Sequence, residues 1–191
     1  MKRVLLGLGS NRAFDNKTPL EILACARDEL TLHLAQPSFS SVYRTKAMYV
    51  ENQEDFYNMA ALGFVPDDSN PFDFLNLINS IEAKYGRDRS KEIRFGPRSL
   101  DIDIELFGNE TINHPILQIP HPRIEERAFV LIPALEILTE PADVLIRERY
   151  LACLKNLSSS GQADGIVKLS GCQNGKGRDY GTDCSGNKTC L

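Results

Sequence analysis

The pattern of apolar and polar positions along the chain predicts four strands. Residues 3–9 form a short apolar run that ends at a Ser-Asn turn and indicate a buried first strand. Residues 38–45 alternate well enough to predict a strand, and residues 56–65 are predicted as another. The segment 99–107 is predicted as the fourth strand, whose otherwise buried hydrophobic residues are accompanied by two aspartates.

Three helices are predicted between and after these strands. The first, over 18–34, opens with a capping threonine followed by a proline at the first helical position. The second covers 72–86, and the third covers 125–138, where Pro133 is expected to kink or interrupt it. With a further short strand near Ile112, the order βαββαββα predicts an α+β two-layer sandwich.

The composition changes after about residue 157. The segment 158–191 is rich in glycine and serine and has few apolar residues. Such a segment buries too little surface to offset the entropy lost on ordering. We therefore expect a single domain over 1–157 and a Gly-rich, flexible C-terminal tail, loosely held unless it docks on the domain.

The net charge and the cysteine content argue against several classes of protein. A net charge of -4 and a pI near 5.4 argue against a nucleic-acid-binding surface. Five cysteines, an odd number without a C-x-x-C pair, argue against a disulfide framework or a zinc site. The N-terminal apolar run is too short for a signal peptide or a membrane span, so we expect a cytoplasmic protein that does not engage a membrane.

Asp101 and Asp103 are two residues apart in the predicted strand 99–107 and therefore project from one face of it. Ile102 and Ile104 then face the core. Two adjacent carboxylates repel unless a cation lies between them, and Mg²⁺ prefers two carboxylates together with water and phosphate oxygens. The sequence thus indicates a magnesium site, with a solvent-exposed sheet face as the alternative.

Arginines and lysines surround this carboxylate pair. Guanidinium groups bind phosphate oxygens, so the cluster favours a nucleoside triphosphate bound through Mg²⁺. A Gly-Pro turn places Arg98 at the start of the strand, which makes it the strongest candidate. The alternative is an ordinary solvated loop. The basic residues are Arg87, Arg89, Lys91, Arg94, Arg98, Arg123 and Arg127.

One histidine and several aromatic residues are further candidates. His121 lies between two prolines and has a ring N–H to offer a phosphate oxygen, or else it is a structural histidine. The aromatic residues either form core or cover the faces of a flat heterocycle, and core is favoured for Tyr43 and Tyr57. These aromatics are Tyr43, Phe56, Tyr57, Phe95 and Phe129.

Five segments follow one another along the chain: GSN at 9–11, YRT at 43–45, DFYN at 55–58, FGPRSLDIDIELFGN at 95–109 and PHPRIEERAFVLIPALEI at 120–137. In order and with matching spacing, they resemble the 6-hydroxymethyl-7,8-dihydropterin pyrophosphokinases of folate biosynthesis. The resemblance runs from residue 3 to about residue 155, and its G-P-R-x-L-D-I-D-I stretch is highly specific. It implies a ferredoxin-like α+β sandwich and transfer of the diphosphate of ATP to the pterin hydroxymethyl group.

The resemblance also implies roles for individual residues. Asp101 and Asp103 are implied to hold two Mg²⁺ ions, with Arg87 and Arg98 completing the catalytic set. The implied ATP contacts are Arg87, Arg89, Arg98, Ile104, His121 and Arg127. The implied pterin contacts are Thr45, Phe56, Asn58, Phe95 and Phe129. The protein is expected to act as a monomer, and the loops 46–55 and 87–95 are expected to close over the substrates.

Two other functions use the same residues. A Mg²⁺-dependent nucleotide hydrolase would cleave ATP without any pterin. A non-catalytic ferredoxin-like module would bind a partner or an RNA strand on its sheet, for which exposed aromatic residues and a basic sheet are typical. Here the positive charge is confined to loops of an acidic protein, which favours the enzyme.

Overall fold

An antiparallel sheet organises the part of the chain that the structure, a computed structural model, describes: residues 1–46, 54–87 and 96–169. Within those residues six strands join this sheet, and two more form a separate hairpin. The strands are β1 (Lys2–Ser10), β2 (Ala35–Phe39), β3 (Tyr43–Thr45), β4 (Phe56–Val65), β5 (Asp101–Phe107), β6 (Ile112–His114), β7 (Leu117–Ile119) and β8 (Val167–Lys168).

Four α-helices accompany the sheet: α1 (Pro19–Thr31), α2 (Pro71–Lys84), α3 (Ala128–Ile137) and α4 (Val144–Ser159). Thr18 caps α1 as predicted and forms a capping box with Glu21. Asn70 caps α2 by accepting the Phe72 N–H. Helix α3 begins later than predicted, after a 3-10 turn, and runs through Pro133 without interruption.

The strand order β5-β1-β4-β3-β8, in which β2 also pairs with β4, contains the βαββαβ unit of the ferredoxin-like fold. Every pair in this sheet is antiparallel. The predicted fold class is therefore confirmed. The strand predicted over 38–45 is divided into β2 and β3, which pair with different parts of β4.

Two apolar clusters cover the two faces of the sheet. Val4, Leu6 and Leu8 of β1 pack with buried residues of α1 and α2. Leu5 lies on the opposite face, in the cluster that includes residues of α3 and α4. Helices α3 and α4 thus add a layer to the two-layer unit. None of the helices in the described residues is long and apolar enough to cross a membrane.

The segment assigned to the tail begins in an ordered part of the molecule. Helix α4 continues to Ser159, and after a turn β8 pairs with β3, so residues 166–169 are docked on the sheet. The flexible character expected for 170–191 stays a prediction, because these residues, with Cys172, Cys184 and Cys190, lie outside the described part of the chain.

Candidate active site

Glycines of β1 face the two aspartates of β5. Gly9 pairs with Asp101 and Gly7 pairs with Asp103, so no side chain from β1 crowds either carboxylate. Ile102 and Ile104 are buried in the apolar cluster on the other face of the sheet. The predicted division of the strand, with carboxylates on one face and isoleucines in the core, is confirmed.

Two arginines hold Asp101 from either side. Arg87 Nη1 donates to Asp101 Oδ1, and Arg98 Nη1 donates to Asp101 Oδ2. Arg87 also donates to Glu82, which is fully buried and accepts the Ile102 N–H at 2.8 Å. Glu82 therefore fixes both the guanidinium of Arg87 and the backbone of β5.

The two aspartates have different electrostatic environments. Burial acts to raise the pKa of Asp101, but the charges of Arg87 and Arg98 outweigh it and hold this pKa below its ordinary value. Among the described residues, Asp103 accepts a single arginine hydrogen bond, from Arg127 Nη1 at 3.3 Å. Desolvation in the cleft, followed by the negative charge of Asp101, raises the pKa of Asp103 to about 6.

The backbone of Arg98 is anchored by the loop after β1. Asn11 Oδ1 accepts the Arg98 N–H at 2.7 Å, and the Arg98 carbonyl accepts the N–H groups of Asn11 and Arg12 at 2.9 and 3.1 Å. Ser10 Oγ donates to the carbonyl oxygen of Ser99. The G-S-N segment thus determines where the Gly-Pro-Arg turn places its guanidinium.

A β-bulge in β5 adds a third carboxyl group below the two aspartates. The pairing with β1 shifts between Leu5 and Leu6, and Glu105 is the extra residue at this shift. Glu105 is buried, and neither carboxyl oxygen has a hydrogen-bond partner in the described portion of the chain. Burial and the charge of Asp103 raise the pKa of Glu105 well above its ordinary value.

His121 lies next to this buried glutamate. Its backbone N–H donates to the Glu105 carbonyl at 3.0 Å, and its Nδ1 lies 3.8 Å from Glu105 Oε2. Burial and the charge of Arg127 lower the pKa of His121 to about 4, so the ring is neutral at pH 7. Nδ1 accepts the Arg123 N–H at 3.2 Å, which leaves the ring proton on Nε2.

The other half of the same cleft is aromatic and amide-bearing. Phe56 of β4 and Phe129 of α3 line it together with Asp101 and Asp103. Asn58 and Thr45 also line it, and Asn58 Nδ2 donates to Thr45 Oγ1 at 2.9 Å. The structure thus brings four of the predicted pterin contacts to the predicted carboxylates: Thr45, Phe56, Asn58 and Phe129.

The remaining predicted residues fall into three groups. Arg127 lines the cleft, and its guanidinium carbon lies 5.9 Å from the ring centre of Phe129. The side chain of Ile104 points into the core, so no contact from that side chain reaches the cleft. Arg89, Phe95 and most of the two predicted closing loops lie outside the described residues.

The sequence indicated no role for four residues of this site: Gly7, Asn11, Glu82 and Glu105. Glu82 carries the weakest sequence signal, because an acidic residue late in a helix is usually exposed. Asn11 has a usable signal, since a polar residue directly after a buried strand often lies at a site. Arg123 lines the cleft, and its Nε donates to Glu126 at 3.1 Å.

The carboxylates suit a magnesium ion that shares its ligands with a phosphate. Among the residues described here, no group of three or more His, Cys, Asp or Glu side chains could hold a metal by itself. Asp101 and Asp103 supply two carboxylates on one face, and Mg²⁺ commonly takes one or two carboxylates together with water and substrate phosphates. The donor set therefore fits Mg²⁺ bound with a nucleotide.

Residues 5–139 match the sequence profile of 7,8-dihydro-6-hydroxymethylpterin-pyrophosphokinase (HPPK). The chain belongs to the HPPK family. The predicted family is thus confirmed, and the matched stretch of the HPPK profile includes every described element from most of β1 to the end of α3.

Curated relatives carry the corresponding names. The chain is 35% identical over 140 residues to the 2-amino-4-hydroxy-6-hydroxymethyldihydropteridine pyrophosphokinase of Aquifex aeolicus, covering 72% of this chain and 81% of that protein. It is 46% identical over 98 residues to the Bacillus subtilis protein of the same name, covering 51% of this chain and 56% of that one. The match to the Arabidopsis thaliana folate synthesis bifunctional protein, at 36% identity, covers 74% of this chain and 28% of the relative.

Solved structures show the same fold. The wild-type Plasmodium falciparum HPPK-DHPS crystal structure superposes with a TM-score of 0.60 at 15% sequence identity. The superposition covers 87% of this chain and 48% of the Plasmodium chain. This chain therefore spans about half the length of the Plasmodium chain and of the Bacillus subtilis relative.

Proposed function

We propose that this protein transfers the diphosphate of ATP to the hydroxymethyl group of 6-hydroxymethyl-7,8-dihydropterin. The pterin oxygen bonds to the β-phosphorus, the bond from that phosphorus to the α,β-bridging oxygen breaks, AMP leaves, and the hydroxyl proton is released. One observation carries the proposal: a single cleft joins a carboxylate pair with its arginines to an aromatic and amide-bearing wall. Membership of the HPPK family supports the same reaction.

The arginines form the ATP half of the site. Arg87, Arg98 and Arg127 already contact the two aspartates, so each guanidinium lies beside the position that a metal-bound triphosphate would occupy. Guanidiniums stabilise the charge on the transferred group, and this transfer asks mainly for positioning and charge stabilisation. No nucleophilic side chain is required.

Asp101 and Asp103 would hold Mg²⁺ in this site. Bound there, Mg²⁺ would offset the charge of the triphosphate and lower the pKa of the attacking hydroxyl group. For Asp103 to act as a ligand its carboxyl group must be ionised, and its pKa of about 6 leaves it mostly ionised at pH 7 and above.

The pterin half of the cleft offers aromatic rings to the faces of the heterocycle and an amide group to its polar edge. Phe56 and Phe129 would cover the faces of the heterocycle, while Asn58 would hydrogen-bond to its edge. The Nδ2 group of Asn58 is held by Thr45, which fixes which end of the amide faces a ligand. A heterocycle with the wrong pattern of donors would leave these buried groups unpaired, and the site would reject it.

Two further predicted ATP contacts are supported by backbone and ring geometry. The Ile102 N–H points away from β1, towards Glu82, and residues two apart in a strand direct their backbone groups to the same side. Ile104 would therefore contact ATP through its backbone. His121 would donate its Nε2 proton to a phosphate oxygen, because Nδ1 is already an acceptor.

The test is AMP release from ATP and Mg²⁺ with and without the pterin, in one preparation. AMP that forms only when the pterin is present supports the transferase. AMP or phosphate that forms equally without it overturns the proposal in favour of a nucleotide hydrolase. Retained ATP binding without any AMP would overturn it in favour of a binding protein.

The remaining expectations stay predictions. The cytoplasmic location rests on the short N-terminal apolar run, the absence of a nucleic-acid partner on the acidic net charge, and the monomeric state on the family resemblance. Helices cover both faces of the sheet, which supports an enzyme over a module that binds RNA on an open sheet face.

A further inference from the structure

Helix α3 and strands β3 and β4 form opposite walls of the proposed pterin pocket. Phe129 projects from α3, whereas Thr45 projects from β3 and Asn58 from β4. A flat ring fits between such walls only at one separation, since stacking contacts weaken within a fraction of an ångström. Whatever fixes α3 against β3 therefore decides how well the pterin binds.

Glu136 connects the two walls. It follows Phe129 by seven residues, close to two helical turns, and so lies on the same side of α3. Its carboxylate accepts the Ser41 N–H at 3.2 Å, the Ser41 hydroxyl at 2.8 Å and the Tyr43 hydroxyl at 2.8 Å. One carboxylate thus ties the helix to the backbone entering β3 and to a side chain of β3 itself.

Tyr43 transmits this connection to the pocket. It precedes Thr45 by two residues in a three-residue strand, so both side chains lie on the same face. Thr45 Oγ1 in turn accepts the Asn58 amide at 2.9 Å. Displacing Tyr43 would therefore move Thr45 and release the amide that is proposed to recognise the pterin edge.

Strand β8, which pairs with β3, also contacts Glu136. Lys168 of β8 donates to Glu136 Oε1 at 3.0 Å, and it pairs with Tyr43 in the sheet. The Leu169 N–H donates to the Val42 carbonyl at 2.9 Å. Residues 166–169 follow the stretch that matches the family profile, which ends at residue 139.

We propose that Glu136 and Lys168 are a pair of positioning residues that set the separation of the two walls and thereby control pterin affinity. The inference rests on the proposed function. The pair lies at the pterin end of the cleft and contacts none of the arginines or aspartates among the described residues, so it acts on the pterin and not on ATP or the transfer step.

The test compares Lys168→Met, Glu136→Gln and the control Lys155→Met, which changes an exposed lysine of α4. We expect the KM for the pterin to rise about twofold to fivefold in Lys168→Met and about tenfold in Glu136→Gln. The KM for ATP and kcat stay within about twofold. Lys168→Arg restores the natural KM, because it keeps a cation of similar reach.

Two results would overturn the proposal. The first is an unchanged pterin KM in both variants, and the second is an equal rise in the KM for ATP. Amide hydrogen exchange of residues 43–45, measured in parallel, gives a readout without turnover: exchange rises in Lys168→Met if the pair holds β3 and stays unchanged if it does not. A natural protein without pterin-dependent AMP release would instead count against the proposed function, while the exchange data still decide the positioning role.

Discussion

A Cβ atom on Gly7 would lie 2.8 Å from Glu105 Oε1, so the glycine of one strand leaves room for the buried carboxyl group of the next. The bulge in β5 turns this carboxyl group inward, beside His121 and below Asp103. A carboxylate buried without a cation is destabilising, and the pKa of Glu105 is raised because burial disfavours its charged form.

The first prediction concerns stability and pH. A group whose pKa is raised by folding contributes stability below its unfolded pKa, near 4.5, and loses that contribution as pH rises towards its folded pKa. The free energy of unfolding of Glu105→Gln should therefore rise relative to that of the natural protein as the pH increases from 4.5 towards 8. Urea unfolding in metal-free buffer at several pH values measures the difference.

The exposed change Glu148→Gln is the matched control, because it also replaces one carboxyl group by an amide. A constant difference for Glu105→Gln across the whole range would show that Glu105 titrates equally in the folded and unfolded protein.

The second prediction concerns the carboxylate pair. Asp103→Asn keeps the shape of the side chain but removes the charge needed to hold Mg²⁺, so pterin-dependent AMP release should fall about 100-fold or more. Far-ultraviolet circular dichroism should stay unchanged, because Asp103 is the more exposed of the pair, at 37%. Asp68→Asn, at an exposed turn, is the control. Near-natural turnover in Asp103→Asn would remove this residue from the metal site.

A third prediction follows from the contact between Asn11 and Arg98. Asn11→Ala removes the acceptor that holds the Arg98 N–H at 2.7 Å. The backbone from which the Arg98 guanidinium projects is then no longer fixed. Because small displacements of positioning groups are costly in transfer reactions, kcat should fall about tenfold to 100-fold. Steady-state assays decide this, with Asn109→Ala at an exposed turn as the control. Equal kcat values in both variants would show that the turn holds Arg98 without Asn11.

The fourth prediction concerns Gly86, the residue before Arg87. Its φ of +82° suits glycine, and a Cβ atom there would meet the Phe14 ring at 2.3 Å. Gly86→Ala should therefore cost both backbone strain and a displaced ring, about 2–3 kcal/mol together. Gly165→Ala is a matched control, because Gly165 has a φ of +75° with no other atom within 4 Å of its Cβ position. Thermal unfolding should separate the two variants, and equal losses would mean that Phe14 moves aside without cost.

Sequence signals within a few residues were sufficient to predict most of the helices and strands. Thr18 and Pro19 define the start of α1 because capping and proline geometry act within one turn. The strand predicted over 56–65 matches β4 residue for residue. The hairpin β6–β7 and strand β8 are too short to show a period, and β8 exists because β3 offers it an edge to pair with.

The site residues could be predicted from the sequence where they lie in a single segment of the chain. Asp101 and Asp103 share a face because of strand geometry alone, and Ile102 and Ile104 follow from the same rule. The role of Glu82 depends on α2 returning beside β5, a contact between residues 20 apart that no local pattern encodes. The bulge at Glu105 depends likewise on the register with β1.

Strand β8 has a second consequence, for the behaviour of the protein at high concentration. Without it, β3 would present a row of unpaired backbone groups next to Tyr43, and such an edge is a template for strands of other molecules. A strand of two residues that carries a lysine offers too little edge to extend the sheet further. The same short segment that holds one wall of the cleft thus also protects this edge from aggregation.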